Sequence, residues 1–270
     1  NKQENAEVQF MRNLIVPLFA CIACAVVVSI TAVIVRPEQI ANVENEKKVK
    51  ILSAACIKFE VSEDEKERGC ISITKDQVDE EFKKITTVYV DFRSNEFVAV
   101  DPNYDHLKAV LKPELSELVP KEKDIAILKR RENVGPIYVW TNEDKELEKV
   151  VIPIRGYGLW GTLYGYLSLA SDLNSVNGIE YYDHKETPGL GGEVDADYWK
   201  DIWVGKLVYN QDGGVDLRVV KGAAKDEYQV DGLTGATLTS NGVTDMINYW
   251  LGDEAYGPAL RNLKEHIKNL

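Results

Sequence analysis

The sequence predicts an α+β protein with a single N-terminal transmembrane helix, followed by a soluble domain with a mostly antiparallel sheet and flanking helices. An uncharged apolar run near the start of the chain, Leu14–Val35, indicates the transmembrane helix. The remaining chain mixes strand-like and helix-like stretches that do not alternate regularly, which favours α+β over a doubly wound α/β fold.

The apolar run is long enough to cross a bilayer. At ~1.5 Å per residue it covers the ~30 Å of hydrocarbon, and Arg12 and Arg36 flank it. A cleaved signal peptide, the alternative, would have a shorter apolar core and a small-residue exit. We therefore divide the chain into a tail (1–13), a membrane helix (14–35), a connector (36–50), a front part of the soluble domain (51–150) and a core that would bind the cofactor implied below (151–270).

Charge and cysteine content narrow the class of protein. The net charge of -12 argues against nucleic-acid binding, which needs clustered Lys and Arg. Three histidines without paired metal-ligand spacing argue against a metal site. Cys56 and Cys70 could pair in an oxidising compartment, but their spacing alone leaves that open. Basic residues flank the membrane helix on both sides, and their slight excess after it weakly places the soluble domain in the cytoplasm.

The front part gives mixed signals. Asp76–Ile85 is predicted to be a helix capped by Asp76. Val88–Phe92 and Phe97–Val100 are predicted to form a hairpin. The stretches His106–Val119 and Glu122–Arg131 are expected to be partly helical.

From residue 137 onwards, β-branched and aromatic residues become frequent and indicate strands. The predicted strands are Ile137–Trp140, Val150–Arg155, Thr162–Ala170 and Val176–Tyr182. A helix is expected over Asp195–Val204, with Trp199, Ile202 and Trp203 on its inner face. A hairpin is expected from Lys206–Asn210 and Val215–Val220, and a last helix from Gly257 to Leu270.

The stretch from Asp231 to Ser240 stands out because it lies between a strand-like run, Glu227–Val230, and an apolar helical pattern. Its glycines allow a tight turn, and Thr239, Ser240 and Asn241 are good helix N-caps. The N–H groups at the start of a helix suit a phosphate.

The heptapeptide Asp231-Gly232-Leu233-Thr234-Gly235-Ala236-Thr237 resembles the flavinylation motif of FMN-binding domains. The resemblance implies that a flavin transferase joins one FMN per chain to Thr237 through a phosphoester. Thr237 has no adjacent base and is a poor nucleophile alone, which agrees with modification by another enzyme. Asp231 would orient the loop through its N–H groups.

Two more loops carry the resemblance, Gly156–Gly161 and Glu186–Glu193. By resemblance, Thr187 and the backbone at Gly189 would bond the polar edge of the isoalloxazine ring. Leu190, Leu159 or Trp160 would pack on its face. The predicted cofactor-binding residues are Asp231, Thr234, Gly235, Ala236, Thr237, Gly158, Leu159, Trp160, Glu186, Thr187, Gly189 and Leu190. No catalytic residue and no metal ligand is predicted.

With one membrane helix, the chain resembles the C subunits of sodium-translocating NADH:quinone reductases. That resemblance implies an electron-relay subunit of the bacterial inner membrane, with its soluble domain in the periplasm, opposite to the weak charge bias. Its partners would be other subunits of the complex, the flavin transferase and the bilayer. No GxGxxG fingerprint follows a strand, so NADH is not expected to bind here. The alternatives are the G subunit of an Rnf-type ferredoxin:NAD oxidoreductase, or a membrane-tethered binding module without cofactor; the long front part favours the first interpretation.

Overall fold

The computed structural model describes residues 2–269 and contains seven α-helices and twelve strands within that range. The helices are α1 Lys2–Ala54, α2 Glu63–Glu67, α3 Val78–Lys83, α4 His106–Ala109, α5 Asp197–Asp201, α6 Thr237–Leu251 and α7 Gly257–Lys268. The strands are β1 Ile57–Lys58, β2 Ile71–Ser72, β3 Thr86–Asp91, β4 Glu96–Val98, β5 Ser116–Leu118, β6 Arg130–Glu132, β7 Val134–Thr141, β8 Leu147–Tyr157, β9 Thr162–Ala170, β10 Val176–Asp183, β11 Arg218–Val220 and β12 Gln229–Asp231.

The long helix α1 contains the predicted membrane helix. Among residues 2–269 it is the one helix long and apolar enough to cross a membrane, and an 18-residue stretch of it has a mean hydropathy of 2.9. Residues 36–50, predicted to be a connector, are helical, because α1 continues through Pro37 to Ala54, and their role as a connector stays a prediction. A proline removes one backbone hydrogen bond, and the Glu, Lys and Ala residues that follow favour helix strongly.

The contacts divide the chain between Lys47 and Lys48 into a helical unit and a compact unit. The compact unit is built on a six-stranded antiparallel sheet in the order β10-β9-β8-β7-β3-β4. The longest pairing joins β8 and β9, from Lys149↔Ala170 to Tyr157↔Thr162. The mostly antiparallel sheet with flanking helices confirms the predicted fold class. The sheet runs across residue 150, and the predicted division into front part and core stays a prediction.

Each face of the sheet is covered by its own apolar cluster. On one face, Ile152, Ile154 and Leu167 lie in a cluster with Met246 and Trp250 of α6. On the other face, Val151 and Tyr166 lie in a second cluster with Leu52 and Val78. This alternation along β8 is what a strand buried on both sides requires.

The last turns of α1 belong to the compact unit and are tied to the sheet. Lys50 donates to the buried carboxylate of Glu180 at 2.7 Å. Lys149 donates to the carbonyl oxygen of Ala55 at 3.0 Å. Cys56 and Cys70 form a disulfide, which answers the question that their spacing left open.

Several predicted elements agree with the structure. The hairpin of β3 and β4 pairs Asp91 with Glu96 around Asn95, whose φ is positive. The four strands predicted after residue 137 are β7 to β10, and α7 begins at Gly257 as expected. Leu270 lies outside the described residues.

Other elements differ. Residues 122–129 form turns, because Ile127 and Lys129 adopt positive φ and the Asp124 carboxylate accepts the N–H groups of Leu128 and Lys129. A 3-10 turn over Lys75–Gln77 leads into α3, and its N-cap is Thr74, so the prediction that Asp76 caps this helical segment is wrong.

The segment before Thr237 also departs from the prediction. The helix expected over Asp195–Val204 is only α5, because a 3-10 turn over Gly191–Asp195 precedes it. Ile202 is partly exposed there, although Trp199 and Trp203 are buried as expected. The expected hairpin is reduced to a bridge between Tyr209 and Val215, and β11 pairs in parallel with β12.

Candidate functional site

The three stretches singled out in the sequence meet at one end of the sheet. Gly158–Gly161 is the turn between β8 and β9, closed by a hydrogen bond from Gly158 N–H to the Gly161 carbonyl at 2.8 Å. Because β10 is antiparallel to β9, the loop that follows Asp183 leaves from the same end. The first turns of α6 pack there against the end of β8.

Two glycines allow helix and strand to approach this closely. A Cβ on Gly242 of α6 would lie 2.3 Å from the Tyr157 carbonyl oxygen. A Cβ on Gly156 of β8 would lie 2.7 Å from Cβ of Met246. Sequence reasoning missed Gly242, although a glycine inside a helical pattern is a recognised sign of close packing.

A single buried carboxylate, that of Glu186, holds the three stretches together; it is 5% exposed. Its Oε1 accepts the N–H groups of Leu159 and Trp160 at 3.0 and 2.9 Å. Its Oε2 accepts the hydroxyl of Thr239 in α6 at 2.5 Å. We call Glu186, its two backbone donors and Thr239 the clasp.

The clasp also depends on two glycines from the predicted loops. A Cβ on Gly158 would lie 2.6 Å from Oε1 of Glu186. A Cβ on Gly191 would lie 2.6 Å from Oε2 and 2.5 Å from the Thr239 hydroxyl. Any larger residue at either position would push into the carboxylate, so both loops are shaped around it.

The threonine hydroxyls of the motif differ in access. Thr237 and Thr234 are exposed, whereas Thr239 is 0% exposed and bonded to Glu186. The prediction that Thr239 and Ser240 cap the helix is wrong, because α6 begins at Thr237 and its N-cap is Ala236. The Ser240 hydroxyl instead accepts the N–H of Leu233 at 3.2 Å, which folds the loop back on the helix.

Asp231 and Gly189 use their groups differently from the expectation. The Asp231 carboxylate accepts the N–H of Ala224, seven residues upstream, at 2.7 Å instead of bonding its own loop. Its carbonyl oxygen accepts the indole N–H of Trp199 at 2.8 Å. The Gly189 N–H donates to the Glu193 carboxylate at 3.1 Å, and the Thr187 carbonyl oxygen accepts two N–H groups within its loop.

Large apolar side chains remain exposed beside these loops. Trp160 is 63% exposed, Leu238 next to Thr237 is 59% exposed, and Leu159 and Leu190 are also exposed. Leu190 lies against the loop of residues 231–236, which we call the attachment loop because it precedes the predicted attachment residue Thr237. A Cβ on Gly235 of this loop would be 3.0 Å from Cδ2 of Leu190. Exposed apolar side chains grouped in this way are typical of a ligand or partner site. Leu238 was not among the predicted residues.

A buried ion pair lies just behind the site. Arg155, at the end of β8, bonds Glu132 of β6 at 2.5 and 2.9 Å, and both side chains are buried. Burial alone would raise the pKa of Glu132, but the Arg155 charge and hydrogen bonds outweigh it and lower that pKa. The Arg155 carbonyl oxygen accepts the indole N–H of Trp250 at 2.6 Å, which links β8 to α6 again.

His184 lies two residues before Glu186 and is partly buried. Its Nδ1 accepts the N–H of Glu186 at 3.3 Å. Within residues 2–269, no three His, Cys, Asp or Glu side chains are grouped so that they could hold a metal ion.

The arrangement fits a phosphorylated flavin. Thr237 offers an open hydroxyl at the first position of a 15-residue helix, whose early N–H groups favour a phosphate. Ala236 has no polar side chain to compete for those N–H groups. Exposed Trp160, Leu190 and Leu238 supply apolar surface for a flat ring.

Comparisons with known proteins agree with this geometry. The FMN-binding domain family matches residues 158–252, which include the clasp and the attachment loop. The C subunit of the Na(+)-translocating NADH-quinone reductase from Pseudomonas aeruginosa is 41% identical over 262 residues, covering 94% of this chain and 96% of that protein. Its counterpart from Pasteurella multocida is 36% identical and covers 95% of each chain.

A solved structure supports the same relationship. The crystal structure of Shewanella oneidensis NqrC has a TM-score of 0.70 and 28% identity, covering 83% of this chain and 99% of that one. The chain therefore belongs to the family of C subunits of the Na+-translocating NADH-quinone reductase.

Proposed function

We propose that this chain is the electron-relay subunit of a Na+-translocating NADH:quinone reductase and carries one FMN joined by a phosphoester to Thr237. The observation that carries the proposal is that Glu186 brings three distant stretches of the chain together beside an exposed Thr237. The match to the FMN-binding domain family over the same residues supports it.

Different residues of the site would bind the phosphate and the ring of FMN. The N–H groups at the start of α6 would hold the phosphate beside Thr237. Leu159, Trp160 and Leu190 would pack on the ring, and Thr187 would bond its polar edge. Bound FMN would supply reversible electron transfer, and the chain would supply its position and surroundings. Asp231, Thr234, Gly235 and Ala236 would shape the loop around the ester.

The names of the relatives favour the NADH-quinone reductase over the Rnf-type alternative. The partners we propose are the other subunits of that complex, a flavin transferase and the bilayer that α1 would cross. The soluble domain would lie in the periplasm. The disulfide between Cys56 and Cys70 supports this, because disulfides persist in oxidising compartments.

The test is the mass of the intact chain after coexpression with the flavin transferase. Attachment of FMN with loss of water adds about 438 Da, and the denatured chain should fluoresce in a gel. Thr237→Ala should lose both signals, because it removes the oxygen that forms the ester.

Thr86→Ala is the matched control, since it removes an exposed threonine hydroxyl on β3, outside residues 158–252 that match the FMN-binding domain family. It should keep the full mass increase. A wild-type chain without FMN would contradict the proposal, and retention of the mass increase in Thr237→Ala would move the attachment to another hydroxyl.

A further inference from the structure

We infer that Glu186 is a positioning residue that decides where and how fast the flavin is attached, by holding the first turn of α6 in place before the cofactor arrives. The inference rests on the proposed function, because it concerns the loading of the same site. It assigns Glu186 a part in the attachment step, in addition to the cofactor-binding role that the resemblance implies.

The first argument is that the bonds of the clasp are made entirely by residues of this chain. The carboxylate of Glu186 already has three donors, two backbone N–H groups of the β8–β9 turn and the Thr239 hydroxyl. A buried carboxylate costs free energy unless its oxygens are bonded, so these partners are needed to keep it there. The chain alone therefore sets the geometry of the loops.

The second argument is selectivity among hydroxyls. Thr237 and Thr239 lie in the same helical turn, and either could in principle accept a phosphoryl group. The clasp buries the Thr239 hydroxyl completely and uses its proton, while Thr237 remains open. Glu186 thus withdraws the competing hydroxyl from the transferase.

The step that depends on this arrangement is a phosphoryl transfer without redox change. The Thr237 oxygen forms an O–P bond to the phosphorus of an activated flavin phosphate, a flavin-bearing pyrophosphate. The bond from that phosphorus to its leaving phosphate group breaks, and the hydroxyl proton passes to a base of the transferase. Positioning of the accepting oxygen is what this chain contributes to the rate.

Two substitutions of Glu186 distinguish the effect of its hydrogen bonds on flavin loading from the effect of its negative charge. Glu186→Gln keeps an oxygen for the N–H groups of Leu159 and Trp160, and its amide can donate to Thr239. Glu186→Ala removes all three bonds. Each is made in the full chain, purified in detergent without flavin, and loaded in vitro with the transferase and the flavin pyrophosphate donor.

The readouts are the initial rate of mass increase and the attached residue, located by peptide mapping. Glu186→Ala should load about tenfold more slowly, with part of its flavin on Thr239 instead of Thr237. Glu186→Gln should load within about twofold of the wild type and only on Thr237.

Val139→Ala is the stability control. Val139 is buried in β7 and pairs with Val150, at the end of β8 away from the clasp. It should lower Tm without changing the loading rate of the folded chain or the attached residue. Equal rates and a single site at Thr237 in Glu186→Ala would overturn the inference.

A second variant covers the case in which Glu186→Ala does not fold. Thr239→Val keeps the shape of the side chain and removes the donor, so loading should slow by about threefold or more. An unchanged rate in Thr239→Val would then overturn the inference. Failure of the wild type to load at all would instead contradict the proposed function.

Discussion

Two buried carboxylates, Glu186 and Glu65, hold loops in this protein with different kinds of partner. Glu186 is held by uncharged donors, the N–H groups of Leu159 and Trp160 and the Thr239 hydroxyl. Glu65 pairs with the Lys58 ammonium at 2.6 Å and accepts the N–H of Ser62 at 2.8 Å, forming a capping box at the start of α2. The ion pair and hydrogen bond of Glu65 make the stability of the folded chain depend on pH.

The pKa of Glu65 gives the direction of that dependence. Burial alone would raise it, but Lys58 and Ser62 outweigh burial and lower it from 4.5 to about 2. A carboxyl whose pKa is lower in the folded state stabilises the fold above its ordinary pKa, and that stability is lost as pH falls towards about 2.

We therefore expect Tm to decline between pH 4.5 and 2 more steeply in the wild type than in Glu65→Gln. The measurement is thermal unfolding across that range, with Glu148→Gln as a control on an exposed carboxylate. Parallel Tm profiles for wild type and Glu65→Gln would show that the pair does not contribute.

The sequence motif led to Thr237 as the proposed attachment residue, but it did not reveal the hydrogen bonds that position this residue. Thr237 belongs to a local seven-residue pattern. Glu186, in contrast, bonds residues 26, 27 and 53 positions away, and such pairing follows from the folded sheet. Its assignment as a cofactor-binding residue remains a prediction, and its bonds to the loops could be found only in three dimensions.

At the scale of elements, the contact between α6 and β8 determines where the attachment loop lies. Gly242 and Gly156 bring the helix onto the strand, and the indole N–H of Trp250 bonds the Arg155 carbonyl oxygen. The first turn of α6 is thereby fixed against the end of the sheet from which both loops emerge.

Gly242→Ala tests this contact. Its Cβ would meet two backbone groups, the Tyr157 carbonyl oxygen at 2.3 Å and Gly158 Cα at 3.1 Å, which cannot rotate away. We expect the free energy of unfolding to fall by a net amount of about 1–3 kcal/mol, even though alanine favours a helix by ~1 kcal/mol relative to glycine. Flavin loading should also be slower.

Thermal unfolding of the full chain measures the loss. The control is Gly214→Ala, whose Cβ would find its nearest neighbour at 3.7 Å and whose φ is not positive. An unchanged Tm in Gly242→Ala would mean that helix and strand can separate without cost.

Elements with a clear pattern of residue types in the sequence were predicted well. Segments whose course depends on the φ angle of one or two residues were not. The high frequency of β-branched and aromatic residues identified β7 to β10. Residues 122–129 have a helical composition, yet positive φ at Ile127 and Lys129 turns the chain. Neither residue favours that conformation, so the sequence carries no local sign of the turn.

At the scale of the whole molecule, the disulfide is the feature that reports on the compartment of the soluble domain. It joins Cys56 to Cys70 across a separation of 14 residues, next to the end of α1. Disulfides are rare in the reducing cytoplasm, so the redox state of this pair in the cell indicates on which side of the membrane the soluble domain lies. The charges that flank the membrane helix weakly favour the cytoplasm, and the proposed location is the periplasm.

We expect Cys56 and Cys70 to resist a maleimide in freshly lysed, denatured cells until a reductant is added. Cys21 and Cys24, which are free, should react after denaturation without reduction and serve as the internal reference. Four reactive thiols before reduction would place the domain in a reducing compartment and contradict the periplasmic proposal. Protection of the domain from protease in spheroplasts would contradict it independently.

The attachment of α6 to the sheet has one more consequence for a redox partner. The proposed ester would join the flavin to the first turn of α6, which Glu186 ties to the β8–β9 turn, so the point of attachment would be fixed relative to the sheet. The distance that an electron must cross would then depend on how a neighbouring subunit docks against the end of the sheet where these loops meet. Transfer rates in the complex should accordingly respond to docking geometry and be insensitive to solvent viscosity.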